Sequence, residues 1–171
     1  LLNRRARQIG LSNSVFKNSN GWPEKGHRMS MRDLAILTER LILDFPEFYP
    51  FFSQKEFLFD GRAPANKVNR NPLLGLGIGA DGLKTGHTQE AGYGLVGSAK
   101  QDDRRLIFVF TGLSSAAERA YEAEAIVNWA FRQFSIKSFG KKDTRIAMAH
   151  VWNGDSSNVG LKLTKDLKVL V

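Results

Sequence analysis

Cysteine is absent from the 171 residues of the sequence. The chain can therefore form neither disulfide bridges nor metal sites built from thiolates, although this absence does not indicate a cellular compartment. No uncharged apolar run approaches the ~20 residues that a membrane-spanning helix needs, so we expect no part of the given sequence to cross a bilayer. The opening residues, Leu1 to Arg5, contain no Met and lack the apolar stretch of a signal peptide.

Acidic residues are outnumbered by basic ones, 17 to 25, and the formal net charge is +8. The excess lies at the two ends, because residues 1–28 hold six basic residues and one acidic residue, and residues 137–171 hold seven and three. Residues 29–136 hold twelve and thirteen and are close to neutral. A nucleic-acid-binding domain concentrates its positive charge on one element with interleaved aromatic residues. We therefore expect no nucleic acid among the partners.

Histidine is also scarce. His27, His87 and His150 are too scattered along the chain to match the ligand spacing of a metal site. We expect no metal and no cofactor. The remaining composition, 42% hydrophobic and 25% charged, is that of an ordinary folded globular protein and not of a disordered segment.

Three helices are predicted from apolar periodicity and from end signals. The first ends near Ile9, with Gly10 as its C-cap. Ser30 and Ser115 each precede an acidic residue by three positions, which is the capping-box pattern at the start of a helix. The helix after Ser115 is predicted to run to about Phe134.

The rest of the chain is predicted to form strands and loops. The aromatic run at residues 45–52 is predicted to lie in the core, and a loop rich in Asn, Pro and Gly covers residues 61–82. In residues 137–171 apolar side chains alternate with polar or small ones, as in strands, and no helix is predicted there. Three strand-like runs, followed by the long helix, predict an antiparallel sheet and an α+β fold: residues 82–88, 92–100 and 105–113.

Three literal motif matches lie in unsuitable surroundings. Residues 77–82 match GxGxxG, but a strand follows them where a phosphate-binding loop requires a helix. Ser14 and Lys17 have the Ser-x-x-Lys spacing of an acyl-enzyme serine, yet they lie in a loop rich in Asn and Gly. Residues 156–158 match Ser-x-Asn within the β-only end, where a turn explains them better. We assign no chemistry to any of the three.

The short motif Lys84-Thr85-Gly86 has surroundings that favour a binding site. A Gly-rich loop leads into its strand, and an antiparallel strand and a long helix follow. A lysine on an edge strand beside a groove supplies positive charge to an acidic substrate, and the threonine hydroxyl can hydrogen-bond a carboxylate. The glycine lets another backbone approach closely. The alternative is an exposed strand that carries a solvated lysine.

Longer strings around this motif resemble a known family. Residues 81–88 read DGLKTGHT, AGY follows at 91–93, and Asn-Arg-Asn precedes them at 69–71. Together with residues 29–35 and 44–47, they resemble the low-molecular-mass D-alanyl-D-alanine carboxypeptidases. These are penicillin-binding serine peptidases of the β-lactamase/transpeptidase superfamily. The resemblance covers nearly the whole chain and weakens toward its end.

The resemblance implies a fold and an activity. The fold is a transpeptidase-like antiparallel sheet flanked by helices, in which residues 1–136 form the C-terminal portion of the catalytic domain. Residues 137–171 would be a linker and the beginning of an incomplete all-β domain. In this family a serine attacks the D-Ala-D-Ala bond of a peptidoglycan stem peptide, and water then releases the acyl-enzyme. β-Lactam antibiotics are expected to acylate the same serine.

The resemblance also assigns roles to residues of this sequence. Lys84 would stabilise developing charge and anchor the substrate, and Thr85 would hydrogen-bond the terminal carboxylate. The backbone N–H of His87 would supply half of an oxyanion hole. Arg119 matches an arginine that helps to hold the carboxylate, and Arg70 matches a basic residue near the groove. The plainer interpretations are a helix-surface charge for Arg119 and a loop salt bridge for Arg70.

The family's Ser-x-x-Lys and Ser-x-Asn motifs precede the region matched here. We therefore expect the nucleophilic serine and its lysine base to lie in the other half of the catalytic domain, outside the given residues. On this expectation the chain alone cannot form an acyl-enzyme. The family also implies a location outside the cytoplasm, at the cell envelope or in the periplasm. A signal peptide and a peripheral membrane attachment would belong to segments beyond those given.

Two alternatives remain open at this stage. A β-lactamase has the same superfamily fold, but class A enzymes carry a deacylating Glu-x-x-Leu-Asn loop before the Lys-Thr-Gly strand. Glu47 is followed here by Phe48, Tyr49 and Pro50, which do not match that loop. The other alternative is a non-catalytic module that holds peptidoglycan in the same groove.

Overall fold

A computed structural model describes residues 1–62 and 64–171 of the chain. The described residues divide into two compact units, Leu1–Asn128 and Trp129–Val171. Ala63, which falls within the predicted loop at 61–82, lies outside them. None of the helices in these ranges is both long enough and apolar enough to span a membrane. The domain boundary expected near residue 136 stays a prediction.

The first unit contains a three-stranded antiparallel sheet. Its strands are β1 (Ala80–Thr88), β2 (Gly92–Gln101) and β3 (Arg104–Leu113), and they lie in the order β1-β2-β3. The strand positions predicted from the sequence agree with these bounds to within two residues. The central strand β2 is buried from Gly94 to Ala99, as expected for a strand with a neighbour on each side. Strand β1, which carries the Lys-Thr-Gly motif, is therefore at an edge of the sheet.

Helix α1 (Leu2–Gln8) ends as its sequence predicts. Gly10 follows the helix with a φ of +90°. The Leu11 N–H donates to the Ala6 carbonyl at 2.9 Å, and the Gly10 N–H donates to the Arg7 carbonyl at 3.2 Å. These bonds form a Schellman motif. Leu11 and Ala6 are both buried, so the cap also turns the following loop back onto the helix.

Helix α2 (Met31–Asp44) begins at a serine cap, but its capping box is only half formed. The Ser30 hydroxyl accepts the Asp33 N–H at 3.1 Å. The return bond comes through a third residue, since the Ser30 N–H donates to Ser14 Oγ at 3.2 Å and that hydroxyl donates to Asp33 Oδ2 at 2.6 Å. The Ser14 hydroxyl is the main cause of the lowered pKa of the Asp33 carboxyl. The loop around Ser14 is thus tied to the start of α2.

Helix α3 (Ala116–Gln133) begins in the same manner after the sheet. The Ser115 hydroxyl accepts the Glu118 N–H at 3.0 Å. The Glu118 carboxylate accepts bonds from the N–H and the hydroxyl of Ser114. The predicted capping serine is therefore confirmed.

The prediction that the aromatic run at 45–52 forms core is largely wrong. Tyr49 is 7% exposed, whereas Phe45, Phe48 and Phe51 are 45%, 54% and 62% exposed. The run forms a short 3-10 helix at Tyr49–Ser53. With three residues per turn, such a helix presents only about one side chain in three to the surface it packs on. The side chains on that face are Tyr49, which is buried, and Phe52, one turn later, and both lie beside Gly82 of β1.

The second unit contains strands arranged in two antiparallel pairs. Strand β4 (Ile136–Gly140) pairs with β7 (Leu167–Leu170), and β5 (Arg145–His150) pairs with β6 (Asn158–Lys162). This agrees with the strand-only alternation of the sequence in that region. Most side chains of these strands are exposed.

Candidate functional site

One groove of the first unit is lined by all six site residues that the sequence analysis predicted. It has a volume of about 1010 Å³ and follows the edge strand β1. The loop around Trp22 and the first turn of α3 also line it. The predicted site residues that line this groove are Arg70, Lys84, Thr85, Gly86, His87 and Arg119.

Lys84 presents an ammonium group to the groove. Its Nζ donates to the Thr85 carbonyl oxygen. Partial burial lowers the pKa of this lysine, and the positive charges of Arg70 and Arg119 lower it further. Because a cation near two others is destabilised, the three side chains together form a site that favours a bound anion.

Arg119 is the most deeply buried of these cations. Its side chain lies in the first turn of α3, it is 9% exposed, and its Nε has no hydrogen-bond partner. Burial is the main cause of its lowered pKa. A buried guanidinium nitrogen without a partner is costly. A carboxylate in the groove would supply the counter-charge that this guanidinium lacks.

Arg70 is held by the two asparagines that flank it. The Asn69 side-chain amide donates to the carbonyls of Phe52 and Gln54, at 3.2 and 2.9 Å. The buried Asn71 amide donates to the Gly82 carbonyl of β1 at 2.9 Å. Arg70 itself is exposed, and its Nη2 donates to Asn66 Oδ1 at 2.8 Å. Asn71 thus fastens the loop that carries Arg70 to the strand that carries Lys84, and Asn69 fastens it to the end of the 3-10 helix.

A polar network behind β1 fixes the residues that precede Lys84. The Arg105 guanidinium binds both oxygens of the Asp81 carboxylate, at 2.9 and 2.7 Å. It also donates to Ser98 Oγ at 2.5 Å and lies 5.3 Å from the centre of the Tyr49 ring. The Tyr49 hydroxyl donates to Asp81 at 3.3 Å, and burial raises the pKa of Tyr49 to about 12. The network joins all three strands of the sheet to the 3-10 helix.

Sequence reasoning did not identify this network or the role of Asn71. Asp81 and Asn71 were noted only within strings that carry a resemblance, and Arg105 only as the start of a predicted strand. A sequence-level signal existed in one case, because Asp81 and Arg105 carry opposite charges on strands that flank a common neighbour. Asn71 offers no such signal, since its hydrogen bond to Gly82 depends on how the loop folds back onto β1.

The three literal motif matches lie where the sequence analysis placed them. Ser14 belongs to a loop, and its hydroxyl is engaged by Asp33. Residues 77–79 lead directly into β1, which contains residues 80–82, and residues 156–158 lead from a turn into β6. In the part of the chain that the structure describes, no three His, Asp or Glu side chains lie close enough together to hold a metal ion.

The fold and the groove define the chain as transpeptidase-like, and comparison with solved structures agrees. Penicillin-binding protein 5 from Haemophilus influenzae superposes with a TM-score of 0.83 at 34% identity, over 99% of this chain and 49% of that one. Penicillin-binding protein D2 from Listeria monocytogenes, solved in an ampicillin-bound form, superposes with a TM-score of 0.68 at 31% identity. That match covers 76% of this chain and 54% of the Listeria chain. The expected α+β, transpeptidase-like fold is therefore confirmed.

The sequence itself identifies the family. The pattern that defines the D-alanyl-D-alanine carboxypeptidases matches residues 1–115, and the chain belongs to this family. It is 40% identical over 162 residues to D-alanyl-D-alanine carboxypeptidase DacC of Escherichia coli strain K12, with 94% of this chain aligned. The chain spans about two fifths of the length of such curated relatives, 40% in the case of DacC.

Proposed function

We propose that this chain is part of a serine D,D-carboxypeptidase that removes the terminal D-Ala from peptidoglycan stem peptides. The observation that carries the proposal is the buried Arg119 guanidinium, whose Nε lacks a partner beside Lys84 and Arg70. A stem peptide that ends in D-Ala-D-Ala has a carboxylate at one end of the bond to be cleaved. The three cations would bind this carboxylate and so orient the peptide bond along β1.

In the proposed reaction a serine hydroxyl attacks the carbonyl carbon of the penultimate D-Ala. The bond to the nitrogen of the terminal D-Ala breaks, and that residue leaves as the free amino acid after gaining a proton. Water then hydrolyses the ester, restores the serine and releases the shortened peptide. The serine and its lysine base would come from a segment N-terminal to this chain. We call this chain together with that segment the full-length protein.

The residues of this chain would bind the substrate and stabilise the transition state. Thr85 would hydrogen-bond the carboxylate between Lys84 and Arg119, and Gly86 would let the peptide backbone approach the edge of the sheet. The His87 N–H would donate to the carbonyl oxygen as it becomes negatively charged. Such donors lower the barrier because they are already oriented when the charge develops.

The same geometry supports a covalent reaction with β-lactams. These antibiotics carry an acidic group close to a strained amide, and a relative from Listeria has been solved with ampicillin bound. The proposed substrate also favours a location outside the cytoplasm, at the cell envelope. A signal peptide and a peripheral membrane attachment would then belong to segments beyond this sequence.

Covalent labelling with a fluorescent penicillin tests this proposal. We expect the full-length protein to be labelled and the 171-residue chain alone to remain unlabelled, because the chain would lack the nucleophile. Labelling of the chain alone would place the nucleophile among these residues. An unlabelled full-length protein, folded by circular dichroism, would contradict the proposed acyl-enzyme.

The pH dependence of the reaction should depend on Arg70. Burial and the charges of Arg70 and Arg119 lower the pKa of Lys84, so Lys84 loses its proton at a lower pH than an ordinary lysine. The substitution Arg70→Gln removes one positive neighbour and should raise the pKa of Lys84. The alkaline limb of kcat/KM, measured on the full-length protein, should then move to higher pH, whatever the change in its maximum.

The substitution Arg62→Gln is the control, since Arg62 is exposed and pairs with Asp60 outside the groove. It should leave the alkaline limb in place. If Arg70→Gln also leaves the limb unmoved, the titrating group is not Lys84.

A further inference from the structure

We propose that Tyr93 is the positioning residue for Arg119, and that its aromatic ring holds the guanidinium ready for the substrate carboxylate. This inference rests on the proposed function, because the ligand of Arg119 is taken to be that carboxylate. Tyr93 lines the groove but carries no charge and was not singled out by the sequence. Its proposed role is indirect, since it acts through Arg119.

Arg119 needs an attractive partner when no substrate is bound. Within residues 1–62 and 64–171 no carboxylate forms an ion pair with it. The positive charge of Arg70 repels that of Arg119 and contributes to the lowered pKa of the Arg119 guanidinium. The Cζ atom of Arg119 lies 5.6 Å from the centre of the Tyr93 ring. A guanidinium at this distance is attracted to the negative face of an aromatic ring.

Two glycines flank Tyr93 where its strand lies close against β3. Gly92 precedes it with a φ of +67°, where a Cβ would lie 2.8 Å from the Leu113 carbonyl oxygen. Gly94 follows it, and a Cβ there would lie 2.9 Å from the Phe110 carbonyl oxygen. The two glycines let β3 approach the strand closely on both sides of Tyr93. The Tyr93 ring therefore projects from a part of the strand that is closely packed against β3.

Tyr93 also contacts the edge strand β1. It is the cross-strand partner of His87, and the two ring centres are 3.9 Å apart with an angle of 31° between the planes. One ring thus touches both the strand with the Lys-Thr-Gly motif and the arginine from α3. We infer that Tyr93 sets the position of Arg119 relative to the strand along which the peptide would lie.

The test compares two peptides on the full-length protein: diacetyl-L-lysyl-D-alanyl-D-alanine and its C-terminal amide. Only the first has the carboxylate that Arg119 would bind. Tyr93→Leu should reduce the preference for the free carboxylate, expressed as the ratio of kcat/KM values, by about tenfold. The loss should appear mainly as a higher KM for the carboxylate peptide. Tyr93→Phe keeps the ring and should keep the ratio.

The matched control is Tyr121→Leu, which removes an exposed tyrosine from α3 outside the groove. It should leave the ratio unchanged. If Tyr93→Leu fails to fold, phenylalanines with increasing fluorine substitution at position 93 provide the same test, because fluorine weakens the ring's attraction for a cation while keeping its shape. The ratio should then fall step by step. An unchanged ratio, or an equal loss for both peptides, would overturn the proposal.

A binding measurement separates this proposal from the proposed catalytic function. Dissociation constants for N-acetyl-D-alanine and its amide do not depend on the nucleophile. If neither peptide is hydrolysed but Tyr93→Leu still weakens binding of N-acetyl-D-alanine selectively, the catalytic function fails and the role of Tyr93 stands. If hydrolysis occurs but neither selectivity changes in Tyr93→Leu, only the role of Tyr93 fails.

Discussion

Replacing Arg119 with glutamine should lower kcat/KM for a peptide ending in D-Ala-D-Ala by about 100- to 1,000-fold, the loss expected when one partner of a buried charge pair is removed. The unfolding free energy should remain the same or rise. Arg119 is 9% exposed and its Nε has no partner, so the free protein bears the cost of burying this cation. An amide side chain carries no such charge.

A large loss of kcat/KM without a loss of unfolding free energy distinguishes a binding residue from a structural one. Kinetic assay and urea unfolding of the full-length protein measure the two effects separately. Arg132→Gln is the control, because Arg132 is an exposed arginine in the last turn of the same helix. It should alter neither quantity. A large loss of stability in Arg119→Gln, or kcat/KM close to that of the wild type, would contradict the proposed role of Arg119.

Breaking the ion pair between Arg105 and Asp81 should give the largest loss of stability among the charged pairs described here. Both side chains are about three-quarters buried, at 26% and 28% exposure, and the contact is bidentate. Burial lowers the pKa of the Arg105 guanidinium, and the Asp81 carboxylate more than offsets that effect. We expect Arg105→Met to lower the unfolding free energy by about 2–4 kcal/mol, because Asp81 is left without its partner.

A double-mutant cycle with Asp81→Asn measures the interaction itself. The double variant should be less destabilised than the sum of the single variants, since it contains no unpaired charge. Arg40→Met is the matched control, because it breaks the i,i+4 ion pair between Arg40 and Asp44 within one helix. The side chains of this pair are 47% and 27% exposed. The control substitution should cost no more than about 0.5 kcal/mol. Equal losses in the two arginine variants would contradict the structural importance of the network.

The sheet and the helix ends could be predicted from the sequence because local signals determine them. Turn signals bound the strand-like runs after residue 80, and a turn with Asp102 at a φ of +50° separates two of them. Ser30 and Ser115 cap their helices as predicted. At both caps, however, the acidic residue finds its partner in another serine. A pattern three residues apart indicates where a helix begins, but not which neighbours the loop before it supplies.

Burial and tertiary polar contacts could not be predicted in the same way. The run at 45–52 is aromatic throughout, and only its helical phase against β1 determines that Tyr49 is buried while Phe48 is exposed. Asn71 depends on a loop that returns to Gly82. The six predicted residues of the groove were identified through the Lys-Thr-Gly motif and a family resemblance, whereas Tyr93 was not identified. Their convergence on one groove required the fold.

Release of D-alanine from diacetyl-L-lysyl-D-alanyl-D-alanine by the full-length protein tests the central claim most directly. We predict one D-alanine for each peptide cleaved, with the rate strongly reduced in Arg119→Gln and in Lys84→Gln. The terminal amide of the same peptide should be a poor substrate. The absence of D-alanine release by the folded wild-type protein would contradict the account, as would a rate that neither substitution lowers.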